Sequence, residues 1–248
     1  MIAGNWKMNK VKDTSDFPEE TYIENIVNAV SQNEKAVEIS IFPPFSHIGM
    51  MVALADDKIN VGAQDVSLNA NGAFTGDVSV DLIQDVGANS AIVGHSERRT
   101  IHKETDGEVC TKAENLIKEG LTAVICIGET ESENEAGKTM EVILSQFENS
   151  TPKDADAGQV VIAYEPVWAI GTGKTPTTEQ IQDTHAQLRA GIEKSRGSDF
   201  AENVRLLYGG SVNPSNANEI LSQSDVDGAL VGGASLKSED FINIIKSA

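Results

Sequence analysis

The sequence predicts an α/β chain folded as a (β/α)8 barrel, and two observations carry that prediction. Short β-branched runs recur eight times along the 248 residues, with segments of helical spacing between them. Polar, titratable and glycine residues gather directly after those runs. Strand–helix alternation argues for βα units and a parallel sheet, and eight such units in about 250 residues is the arithmetic of a closed barrel. The same units also fit a doubly wound open sheet. No linker, low-complexity tract or close internal repeat interrupts the chain, so residues 1–248 are expected to form one domain.

The expected strands, in order, are Ile2 to Asn5, Val37 to Phe42, Ile59 to Ala63, Ser90 to Val93, Thr122 to Ile127, Val160 to Tyr164, Val204 to Tyr208 and Ala229 to Val231. After Asn9 the chain reads KVKDTSDFPEE, a polar stretch that Pro18 interrupts, so the first helix is expected to begin at about Pro18. Ile181, His185, Leu188 and Ile192 share one helix face, as do Phe241, Ile244 and Ile245, and Ile220-Leu221 belong to another helix. Thr177-Thr178-Glu179 supplies a hydroxyl cap and a first-turn acid for the helix that follows. Ser96-Glu97 repeats that pattern, and the positive end of its helix would disfavour an imidazolium on His95.

Bulk composition excludes several function classes. The formal charge of −19, from 38 acids against 19 bases, makes nucleic acid and anionic membrane surfaces poor partners. No apolar run approaches the roughly 18 residues that span a bilayer, and no basic lead or apolar core of a signal peptide opens the chain. Two cysteines, Cys110 and Cys126, have no metal-ligand spacing and suit a reducing, cytoplasmic setting. An anionic ligand would have to be held locally, by backbone N–H groups at helix starts and a few lysines.

The residues that end the strand-like runs carry the chemistry. They are Asn5-Trp6-Lys7, Gly94-His95-Ser96-Glu97, Cys126-Ile127-Gly128-Glu129, Glu165, Tyr208-Gly209-Gly210-Ser211 and Gly232-Gly233. In a barrel the last two strand ends commonly hold a phosphate on backbone N–H groups; such glycines also serve tight turns. Glu165 can take a proton from carbon if partly desolvated. Lys7 can face a developing oxyanion, a neutral His95 can donate to a carbonyl oxygen, and Asn5 can orient either partner. Gly173-Lys174-Thr175 resembles the tail of a nucleotide-binding loop, but that loop needs glycine where Trp168 stands. A dinucleotide fingerprint fails at Pro176. His95-x-Glu97 is half of a zinc deaminase signature whose cysteine half is missing.

Ordered along nearly the whole chain are AGNWKMN (3–9), VGAQDVS with NGAFTGD (61–77), IVGHSERR (92–99), CIGE (126–129), AYEPVWAIGTGKTPT (163–177), YGGSVNP (208–214) and GALVGGASL (228–236). Through these motifs the chain resembles the triosephosphate isomerase family. The resemblance implies interconversion of dihydroxyacetone phosphate and glyceraldehyde 3-phosphate in glycolysis and gluconeogenesis, with no cofactor and no metal. It implies Glu165 as the carbon base, His95 as the neutral electrophile, Lys7 as the stabilising cation, Glu97 as a supporting acid and Asn5 as a polar substrate contact. Phosphate contacts carry over to the backbone of Gly171, Ser211, Gly232 and Gly233. Residues 166–176 become a lid hinged at Pro166-Val167-Trp168 and Lys174-Thr175-Pro176. The long loop Gln64 to Ser79, with its apolar tip Phe74, becomes the arm that enters a second subunit of a homodimer. The stretch after Asn9 departs from the family, which bears on how that arm is received. Another phosphosugar barrel, such as an epimerase, would need a different acid–base pair. A silent phosphate-binding scaffold would be favoured by loss of Glu165, His95 or Lys7, and all three are present.

Overall fold

In the computed structural model, which describes residues 1–31, 37–170 and 174–248, eight parallel strands pair in chain order and close into a barrel. They are β1 (Ile2–Asn5), β2 (Ile39–Phe42), β3 (Asn60–Ala63), β4 (Ser90–Val93), β5 (Thr122–Ile127), β6 (Val160–Tyr164), β7 (Arg205–Tyr208) and β8 (Gly228–Val231). The ring shuts where Ile2, Ala3 and Gly4 of β1 pair with Ala229, Leu230 and Val231 of β8. A doubly wound sheet leaves two open edges, so this pairing rules it out. The expected strand limits hold to within two residues, the largest difference being that Val37 and Glu38 precede β2.

The strands read as unbroken apolar runs because both of their faces are buried. Phe42, Ile92, Val124, Val161, Leu207 and Leu230 fill the barrel interior. Residues of opposite orientation, such as Ala123, Ile125 and Ile127 of β5, pack outward against the helices. Burying one such aliphatic side chain contributes about 1.5–3 kcal/mol. The interior is filled to contact: a Cβ at Gly62 would stand 2.4 Å from a ring carbon of Phe42.

The helices are α1 (Pro18–Ser31), α2 (Ile48–Ala55), α3 (Val80–Asp85), α4 (Asp106–Lys118), α5 (Glu131–Glu135), α6 (Thr139–Ser150), α7 (Thr178–Arg196), α8 (Ser198–Asn203), α9 (Ala217–Leu221) and α10 (Ser238–Ile245). Pro18 opens α1, where its fixed φ suits the first helical position and its missing N–H has no partner to lose. Thr177 caps α7 and exchanges bonds with Gln180 in a capping box. The apolar faces foreseen on α7 and α10 are the buried ones. Among the described residues no helix is long and apolar enough to cross a membrane.

One local expectation is corrected after β4. Ser96 does not cap a helix from outside, because Ser96 and Glu97 are already helical. The His95 carbonyl accepts from the N–H groups of Arg98 (2.8 Å) and Arg99 (3.1 Å), and the turn widens into a π-helix over Arg98–His102. His95 is therefore the boundary residue itself.

The long loop after β3 is tied to the body by buried charge. Lys112 of α4 lies 2.7 Å from both Asp65 and Glu104, and Arg98 lies 3.0 Å from Asp65 and 2.6 Å from Glu104. Burial pushes the Asp65 carboxyl upward, while Lys112 opposes it. Taking one partner from such a cluster leaves buried charge uncompensated. Lys112→Met should therefore cost about 3 kcal/mol in urea unfolding, the low end of the range for a broken buried pair because Arg98 still faces both acids. A loss under about 1 kcal/mol would place the cluster among weak surface pairs.

Candidate active site

The C-terminal ends of β1, β4, β6, β7 and β8 surround a cavity of about 380 Å³. Asn5, Lys7, His95, Glu165, Ser211, Gly232 and Gly233 all line it, so the structure brings together seven of the residues that the sequence singled out. Glu97 stands behind Lys7, outside the cavity wall. Gly171 lies outside the described residues, as do Thr172 and Gly173 of the expected lid.

Glu165 follows β6 and is buried, 2% exposed. Its N–H continues the sheet by donating to Ile127 O at 2.7 Å, which fixes its backbone. Two glycines make room for it. A Cβ on Gly128 would meet the Glu165 carbonyl oxygen at 1.8 Å, and one on Gly209 would meet its Cγ at 2.7 Å. The carboxylate accepts from the Ser96 N–H at 3.1 Å and lies 3.0 Å from His95 Nε2. Burial raises its pKa, but His95, the Ser96 amide and Lys7 together hold it below the ordinary carboxylate value.

His95 is held at both ring nitrogens. The Glu97 N–H donates to Nδ1 at 3.2 Å, so the proton of a neutral ring sits on Nε2, facing Glu165 and the cavity. The helix-end argument for a lowered pKa is only part of the balance. Burial lowers it, yet the charge and hydrogen bond of Glu165, with Glu97 behind them, outweigh burial and leave it raised. The main raising cause is the Glu165 carboxylate, and burial by itself acts toward the neutral ring.

Lys7 adopts φ 50°, a left-handed conformation uncommon outside glycine. Its N–H donates to Asn5 Oδ1 at 2.9 Å and its carbonyl accepts from Gln64 Nε2 at 2.8 Å. The same Gln64 nitrogen also donates to Phe42 O at 2.8 Å. These bonds support the strained turn, and Nζ meets Glu97 Oε1 at 2.7 Å. After β8, the strand paired with β1, a four-residue 3₁₀ turn, Gly233–Leu236, begins at the cavity. Among the described residues the N–H groups of Gly233 and Ala234 meet no acceptor, as expected for the start of such a turn. The Ser211 hydroxyl donates to Ala169 O at 3.0 Å, so only its backbone faces a ligand freely.

Several contributions were not legible in the sequence: the bonds of Gln64, the Ser96 amide, the clearance at Gly128 and Gly209, and the part played by Glu129, which stands among the strand-end residues with no role assigned. Glu129 is fully buried and accepts from Tyr164 Oη (3.2 Å) and Trp168 Nε1 (2.8 Å), which ties down one end of the expected lid. Lys174, beyond the undescribed residues, pairs with Glu131. A polar residue at a strand end was the available signal for Gln64 and Glu129; an amide or a missing Cβ leaves none.

The balance at His95 has a measurable sign. The favourable pairing of a raised-pKa histidine is present below its unfolded value and is lost as pH rises through its folded value. Glu165→Gln removes the main raising cause, so the NMR titration of His95 should move to lower pH in that variant. A titration that stays in place would assign the raised value to Glu97 instead.

Comparison with known proteins agrees with this geometry. The family described as Triosephosphate isomerase matches residues 1–248. The triosephosphate isomerase of Ruegeria pomeroyi is 47% identical over 248 residues, covering 100% of this chain and 96% of that protein. That of Rhizobium etli is 47% identical over 253 residues, covering 100% and 95%. The crystal structure of triosephosphate isomerase from Bartonella henselae superposes with a TM-score of 0.88 at 38% identity, covering 99% of this chain and 97% of that one. A cavity built from Lys7, His95 and Glu165 on a closed barrel, and relatives matched from end to end, lead to one assignment: the chain belongs to the triosephosphate isomerase family.

Proposed function

We propose that this chain, acting as one domain in the cytoplasm, interconverts dihydroxyacetone phosphate and D-glyceraldehyde 3-phosphate in glycolysis and gluconeogenesis. Glu165 removes a proton from one carbon and returns it to the neighbour, through an enediolate. His95 donates from Nε2 to the oxygens that gain charge, and Lys7 stabilises that charge while Asn5 and Glu97 hold Lys7 in place. The phosphate rests on the backbone of Ser211, Gly232 and Gly233, with Gly171 adding an N–H from the lid over residues 166–176. The observation that carries this reading is a buried carboxylate 3.0 Å from a buried imidazole, across one cavity from a glycine-led turn.

Glu165→Gln keeps the shape of the side chain and removes its basic oxygen. Turnover should fall by at least about 10²- to 10⁴-fold, the usual worth of a general base, while inorganic phosphate still binds. Near-normal turnover would overturn the role of Glu165.

We further propose a homodimer formed through the loop from Gln64 to Ser79. Phe74 at its tip is 46% exposed, and the loop after β1 and the π-helix after β4 expose Met8 (96%) and Ile101 (69%). A cavity of about 360 Å³ between this loop and Phe45, Arg98 and His102 offers space for a partner's loop. Lys7 lies in the loop after β1 and Gln64 begins the loop after β3, so an interface there steadies the catalytic lysine. The intact protein should sediment as a dimer at micromolar concentration, and removal of residues 71–76 should give a folded monomer with little activity. Sedimentation of the intact protein as a monomer would end this reading.

A further inference from the structure

We infer that Tyr22 of α1 is a positioning residue for phosphate binding: it joins the strand end that carries Lys7 to the turn that begins at Gly233. The inference rests on reading Gly232-Gly233 as the phosphate contact.

Tyr22 is completely buried, and its hydroxyl donates to Ser235 O at 2.7 Å. Burial pushes the phenol's pKa upward, so the hydroxyl keeps its proton and remains a donor. Ser235 sits inside the 3₁₀ turn, with its N–H on Gly232 O at 2.8 Å and its hydroxyl on the same oxygen at 2.7 Å. The last carbonyls of a short helix have no partner within it. Here they are capped from outside, Ser235 O by Tyr22 and Leu236 O by the N–H of Lys12 at 2.6 Å. The near end of the turn is thereby left to present its free N–H groups to the cavity.

The tyrosine ring reaches the other wall as well. Trp6, between Asn5 and Lys7, packs edge-on against it with centroids 5.2 Å apart and planes at 86°. Phe241 of α10 stacks on its far side at 6.5 Å and 17°. The polar stretch after Asn9 adds to the same brace. Asp13 accepts from the Ser238 N–H at 3.0 Å and from its hydroxyl at 2.5 Å, and Asn25 donates to that hydroxyl at 3.0 Å. Loop and helix thus grip residues 235–238 from one side. A shift of that segment would tilt the Gly233 and Ala234 amides, which affects a phosphate equally in the ground and transition states. The role therefore belongs to affinity and not to the chemical step.

Tyr22→Phe deletes one oxygen and keeps the ring packing. The inhibition constant of inorganic phosphate and the KM for glyceraldehyde 3-phosphate should rise together, by about 3- to 10-fold, the worth of one hydrogen bond, with kcat changed less than about twofold. A lowered melting temperature with both constants unchanged would reduce Tyr22 to a core residue and overturn the inference, as would a fall in kcat alone. If Tyr22→Phe does not fold, Asp13→Ala tests the same brace from the surface. Both constants should again rise, and unchanged constants would overturn the inference. Failure of inorganic phosphate to compete with substrate in the unaltered enzyme would instead strike at the phosphate reading of Gly232-Gly233.

Discussion

Pairing between β1 and β8 is the contact on which the site depends. Three residue pairs, Ile2 to Gly4 against Ala229 to Val231, join the first strand to the last. Without them Lys7 and the Gly233 turn would lie at opposite edges of an open sheet. With them Lys7 and the Gly233 turn stand on adjacent strand ends, and a Cβ added at Gly232 would come into ordinary contact, 3.6 Å, with Lys7 Cε. The closure also leaves every strand buried on both faces, and that supplies the apolar support for a mouth lined with charge.

At that mouth the chain accepts local costs. A carboxylate and an imidazole are buried together, a lysine is held at positive φ, and amides at the start of a turn meet no acceptor among the described residues. Each has compensation nearby. The Ser96 amide and His95 steady Glu165, Asn5 and Gln64 hold the Lys7 backbone, and Tyr22 and Lys12 cap the turn from behind. Functional sites commonly retain such strain because the surrounding structure over-determines it.

The net charge of −19 gives an anionic substrate a repulsive average field. The site meets this locally. In the proposed reading Lys7 supplies the positive charge beside Glu165 and oriented backbone dipoles supply the rest, so affinity would rest on short-range geometry that distant acids, screened by salt, scarcely reach.

Much of this was legible in the residue order. Eight apolar runs alternating with helical segments specified a parallel sheet of βα units and pointed to a barrel, because strands buried on two faces must be apolar throughout and each parallel connection needs a helix; the closure itself was decided by the pairing of β1 with β8. Residues immediately after those runs, Lys7, His95, Glu165, Ser211, Gly232 and Gly233, specified the mouth, because every parallel strand ends on the same side. Tertiary structure alone decided how they meet. The sign of the His95 shift depends on a carboxylate 70 positions away in sequence. The backbone of Lys7 depends on the carboxamide of Gln64 from another strand end. The grip of Tyr22 on Ser235 spans 213 residues. Periodicity and capping are short-range properties that a linear reading can recover. Hydrogen bonds between strand ends depend on ring closure and register, and those exist only once the chain has folded.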